Sequence, residues 1–81
     1  MQDISKLTAR EEEVLQLIAK GMSNLQIAEE LFIAEATIGQ HIYHIYDKMS
    51  EWIGEGNSRV MVAWYWWEKH GIPASEDYAI R

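Results

Sequence analysis

The chain has 81 residues, 13 acidic against 7 basic side chains and a formal charge of −6, so it is one domain near the small end of what folds unaided. A module whose affinity comes from wholesale phosphate neutralisation is normally basic, so this balance leaves room only for a local positive patch. There is no cysteine, which excludes disulfides and thiolate metal sites.

Residues 1–6 read as a polar lead-in, with Leu7 folding back onto the core. Thr8 and Glu11 then have the spacing of a capping box, hydroxyl at the cap and carboxylate three residues on. This predicts a first helix over Thr8–Lys20, with Glu11, Glu12 and Glu13 at the positive end of its dipole. Val14, Leu15, Leu17 and Ile18 form its apolar stripe, and Lys20–Gly21 ends it. Ser23 or Asn24 caps a second helix, Asn24–Leu31, whose apolar face is Ile27, Ala28 and Leu31. Phe32 and Ile33 stay apolar, so the connection that follows is expected to pack inward.

A longer helix is predicted over Glu35–Ile53, with Ile38, Ile42, Ile45 and Met49 at spacings of four, three and four. Ala34 stands where its cap should be, a choice that costs about 1 kcal/mol against Ser or Thr. Gly39 within it costs about 1 kcal/mol more against alanine. Leu15, Ile18, Ile27, Leu31, Ile38, Ile42 and Ile45 should share one core. Two short helices with a pinned corner make a helix-turn-helix, in which the second helix turns its outer face to a nucleic-acid groove. That face is Glu35, Ala36, Gly39, Gln40, Tyr43 and Asp47, and it holds no lysine or arginine.

Gly54–Asn57 is the clearest loop, part of an extended connection near 50–57. Ser58 caps a last helix, Ser58–His70, closed by Gly71 and Pro73, and a loose tail follows from about residue 74. Val60, Ala63, Trp67 and Trp64 can form its inward stripe. Met61, Tyr65 and Trp66 then point elsewhere, and an 81-residue domain needs a second chain to cover them. The expected class is all-α, four helices in a single domain over 1–81.

From Leu7 to Lys48 the chain resembles the LuxR/FixJ/GerE-type DNA-binding domain. The residues that carry the likeness are Leu7-Thr8-x-Arg10-Glu11-x-Glu13-Val14-Leu15, Ile18-Ala19-x-Gly21-x-Ser23-Asn24, Ile27-Ala28-x-x-Leu31-x-Ile33, Thr37-Ile38, His41 and Ile45-Tyr46-x-Lys48-Met49. Asn57-x-Arg59 is similar to the family's step before its last helix, although Ser50–Gly56 is longer than that connection usually is. The resemblance implies a four-helix domain, transcriptional regulation and dimerisation through the last helix. The family commonly has a lysine or arginine after the Thr-Val/Ile pair, where this chain has Gly39.

The expected DNA-contacting residues are Ser23, Asn24, Glu35, Thr37, Gly39, Gln40, Tyr43, His44 and Lys48. Gln40, Tyr43 and Lys48 come first. Gln40 has an amide that can be bidentate to adenine, and Lys48 can meet phosphate. His41 reads as a packing residue, Tyr46 as half core, and Arg59 as a partner for Glu11 or Glu13. The expected dimer interface is Met61, Trp64, Tyr65 and Trp66.

The leading reading is therefore a small stand-alone regulator that binds double-stranded DNA as a homodimer. The second reading is an interaction module that binds another regulatory protein or a polymerase subunit. No nucleophile–base pair, metal cluster or phosphate loop points to an enzyme, and neither cofactor nor metal is expected. No apolar run approaches the roughly 20 residues of a membrane span, and MQDISKLTAR carries no signal-peptide pattern. A cytoplasmic, nucleoid-associated protein is expected.

Overall fold

The computed structural model describes residues 7–71; the lead-in and the tail expected from about residue 74 lie outside them. It runs α1 (Ala9–Ala19), α2 (Asn24–Leu31), α3 (Glu35–Lys48), α4 (Ser50–Ile53) and α5 (Ser58–His70), with no strand among the described residues. The all-α helix-turn-helix class holds, with one short helix more than expected.

Local chemistry starts and stops α1 and α2 in parallel ways. The Thr8 hydroxyl accepts the Glu11 N–H at 3.1 Å and the Glu11 carboxylate accepts the Thr8 N–H at 2.9 Å, a closed capping box. Ser23, rather than Asn24, caps α2 in the same way with Gln26. At the far end of α1 the Met22 N–H reaches back to the Leu17 carbonyl, and Gly21 takes the left-handed conformation (φ 89°) that this closure needs. At the end of α2 the Ile33 N–H reaches the Ala28 carbonyl, and the left-handed residue (φ 57°) is Phe32. A side chain in that conformation costs about 1 kcal/mol. The inward-packed connection is thus half right. Ile33 packs on the core, while Phe32 is 95% exposed because the left-handed turn throws its ring outward.

Ala34 gives α3 no side-chain cap, as expected. The predicted Glu35–Ile53 helix does not run straight through. Met49 (φ −104°, ψ 14°) bends it, and α4 continues as a separate turn. The bend seats Ile53 in the core and brings Trp52 edge-on to Tyr65 at 5.6 Å. Much of the expected 50–57 loop is therefore packed structure, and only Gly54–Asn57 connects. Asn57, one residue before the expected Ser58, caps α5 by accepting the Val60 N–H. Gly71 closes α5, its N–H on the Trp67 carbonyl at 2.7 Å.

The core gathers Leu15, Ile18, Ile27, Ile38, Ile42 and Ile45 as predicted, together with Val14, Met49, Ile53, Val62 and Ala63. Leu31 only borders it. Each large aliphatic side chain so buried stabilises the fold by roughly 2 kcal/mol. The inward face of α5 is the expected one in part: Ala63 is buried and Trp67 packs against the core. Val62 is fully buried and Ala63 nearly so, whereas Val60 stands 59% and Trp64 50% exposed. α5 packs mainly on α1, which turns Val62 and Ala63 inward, while Tyr65 meets Trp52 of α4.

Candidate nucleic-acid interface

With Ile38, Ile42 and Ile45 locked inward, the 3.6-residue repeat dictates which residues α3 presents. Glu35, Ala36, Gln40, Tyr43, His44 and Asp47 are exposed, and Thr37, Gly39 and His41 are half-buried on its flanks. Tyr43 stands 67% exposed, with the His44 ring edge-on at 5.9 Å. A Cβ added at Gly39 would meet nothing within 4 Å, so the missing side chain leaves open space. This outer face can offer an amide, a phenol and an imidazole to a base edge or a phosphate. It offers no fixed positive charge: from Gly21 to Asp47 there is no lysine or arginine, against the carboxylates of Glu29, Glu30, Glu35 and Asp47.

Lys48 closes α3, but its ammonium donates to the Glu11 carboxylate at 2.7 Å. Glu11 is 5% exposed, so the pair ties α3 to the start of α1 inside the fold. Burial pushes the Glu11 carboxyl up, and Lys48, the Thr8 N–H and the nearby His44 outweigh it, holding the group below the ordinary carboxylate range. The sequence pointed to Lys48 as a leading phosphate contact. The structure gives its charge an internal partner 37 residues away, which no helical spacing reveals.

Ser23 and Asn24 stand at the start of α2, Ser23 exposed and Asn24 half-buried. The Asn24 side-chain Oδ1 already accepts from the Arg59 guanidinium at 2.8 Å, and the same guanidinium donates to the Met22 main-chain carbonyl at 2.6 Å. Arg59 was expected to pair with Glu11 or Glu13. Instead it pins the α1–α2 corner from α5, while Glu13 pairs with Arg10 at 3.3 Å. Tyr46 is half-buried as expected, and burial pushes its phenol up against the opposing pull of Arg59.

Val60, Trp64 and Trp67 form a row on α5 at spacings of four and three, Val60 and Trp64 exposed and Trp67 half-buried against the core. The Trp67 indole donates to the Ala19 carbonyl at 3.0 Å, which fixes α5 against the end of α1. Between them lies a largely apolar groove of about 480 Å³, lined by Ile18, Ala19, Lys20, Val60, Ala63 and Trp67. Of the four residues expected at an interface, only Trp64 is on this open side. Met61, Tyr65 and Trp66 are half-buried and pack against the protein's own core, with Trp66 stacked on His70 at 3.9 Å. The spacing of Val60, Trp64 and Trp67 was available in the sequence. That row, with Ala63, is the inward stripe the sequence predicts, whereas the structure buries Val62 and leaves Val60 and Trp64 exposed.

The family model described as "Bacterial regulatory proteins, luxR family" matches residues 5–61. Among similar proteins, the nitrate/nitrite response regulator protein NarL of Escherichia coli is 45% identical over 47 residues, covering 58% of this chain and 22% of the relative. The HTH-type transcriptional regulator MalT of Vibrio campbellii is 52% identical over 46 residues, 57% of this chain and 5% of the relative. The probable transcriptional regulatory protein SgaR of Hyphomicrobium methylovorum is 40% identical over 60 residues, 74% of this chain and 26% of the relative. The matched region thus spans about a quarter or less of these relatives. No solved structure gives a significant match.

Proposed function

The chain belongs to the luxR family of bacterial regulatory proteins, as a helix-turn-helix DNA-binding domain of transcriptional regulators; from that premise we propose that it binds double-stranded DNA as a homodimer, with α3 in the major groove. The observation that carries this reading is the match over residues 5–61 together with the outer face of α3, which no other part of the described chain covers. In the proposed complex Gln40 reads a base edge and Tyr43 and His44 flank it. Ser23, Asn24, Glu35 and Thr37 lie along the backbone, where the first N–H groups of α2 and α3 face phosphate. Gly39 permits close approach. Lys48 acts through Glu11, as the residue that holds α3 in place, and contributes little direct charge.

The dimer forms on the Val60–Trp64–Trp67 row. A twofold axis there lets each copy place Trp64 against the other's groove and sets two α3 helices about one DNA turn, roughly 34 Å, apart. Such a regulator works in the cytoplasm, on the nucleoid, where its DNA is. The test is DNA binding across salt concentrations. We expect a dimer that binds at low salt with a shallow slope, because each neutralised phosphate adds about −0.9 to it.

One observation favours a second reading, an interaction module that binds another regulator. The helix-turn-helix lacks any lysine or arginine from Gly21 to Asp47. A dimer with no affinity for DNA even at low salt would put that reading first.

A further inference from the structure

We infer that the outer side of α2, from Leu25 to Phe32, is a docking surface for a protein that offers an apolar pocket rimmed by lysine or arginine. The inference does not depend on the dimer or on DNA contact. It begins with the two helix ends that share one closure. Where only a reversal is needed, after α1, the left-handed position holds Gly21, the residue that adopts it freely. After α2 the same position holds Phe32, which bears the strain of φ 57° and gains nothing from its own chain, since the ring is 95% exposed. Glycine or asparagine would close the helix better. A large aromatic kept in a strained, solvated place is accounted for by a partner that covers it.

Leu25, in the first turn of the helix that Phe32 terminates, is a second exposed apolar side chain at 53%. The surroundings decide what can cover it. Glu29 and Glu30 lie exposed between Leu25 and Phe32, and no lysine or arginine stands from Leu25 to Phe32 to offset them. A second copy would set these carboxylates against themselves. On this side of α2, Glu29 and Glu30 repel an anionic surface of any kind for the same reason. A protein surface with a cationic rim is attracted, and its pocket takes the Phe32 ring while the rim pairs with Glu29 and Glu30.

The probes are a helical peptide of leucine and lysine and its leucine–glutamate counterpart, titrated into the isotopically labelled full chain and followed by amide resonances. The lysine peptide should move the signals of Leu25 to Ile33, with an affinity that weakens as salt rises, and the glutamate peptide should not bind. Phe32→Gly should bind the lysine peptide about tenfold or more weakly, while melting no lower than the unmodified protein and keeping its affinity for DNA. Phe32→Tyr should retain binding. The inference is overturned if the lysine peptide does not bind or shifts only residues of α5. It is equally overturned if Phe32→Gly binds it unchanged, or if that substitution unfolds the domain and so gives the ring a structural role.

Discussion

The outer faces of α3 and α5 are built on opposite principles. Both helices turn isoleucine, valine or alanine inward, yet α3 shows solvent a polar row without fixed positive charge, and α5 shows it Val60 and Trp64. The amide and phenol of Gln40 and Tyr43 gain little from burial against protein, but can read a groove. The apolar row of α5 gains from leaving water wherever it can. In the proposed dimer, affinity for DNA comes from two weak α3 contacts held together, so the apolar face would control what the polar face achieves.

Separating the two faces should therefore have the largest effect. Val60→Gln with Trp64→Gln keeps good helix formers on an exposed face, so the protein should fold and sediment as a monomer, and its DNA affinity should fall by about 100-fold through lost avidity. Charging Tyr65 and Trp66 instead should lower the melting temperature, since those rings pack on the core. A double glutamine variant that remains dimeric would place the interface elsewhere.

Lys48→Ala asks which face that lysine serves. It strands the buried Glu11 carboxylate, and we expect a loss of about 2 kcal/mol in denaturant unfolding. The Glu11 carboxyl is held below its unfolded value, so its stabilisation is present above the ordinary carboxylate pKa, near 4.3, and is lost as pH falls through the lower folded value. Glu11→Gln should flatten that acid limb. If Lys48→Ala instead weakens DNA binding with unchanged stability, the ammonium belongs to the DNA face.

Gln40→Ala should act on the polar face only, relaxing preference at one base pair by about tenfold while stability stays within about 0.5 kcal/mol. Selection from random duplexes with both proteins would show it, and an unchanged consensus would remove Gln40 from base reading. The smallest effect is expected at Gly39. A lysine there has room and fits a helix better than glycine, so Gly39→Lys should melt slightly higher, steepen the salt slope of the dimer by about 1.8, one lysine per protomer, and tighten nonspecific binding by about threefold at low salt.

Much of this molecule was legible from residue order. The boxes of Thr8 with Glu11 and Ser23 with Gln26, the Gly21 and Gly71 stops, and the spacing from Ile38 to Met49 are local patterns, set by one helix's own backbone and period. So was the row that α3 presents, since it is the complement of its buried isoleucines. The Lys48–Glu11 pair, the Arg59 brace on Asn24 and Met22, and the bend at Met49 depend on groups far apart in the chain, and only the packed molecule brings them together. The face of α5 was decided there too. Nearly every residue from Val60 to Trp67 is apolar, so hydrophobic period cannot choose its inward side, and the choice fell to the packing of α5 on α1, with Trp52 of α4 against Tyr65, which leaves Val60 and Trp64 to solvent.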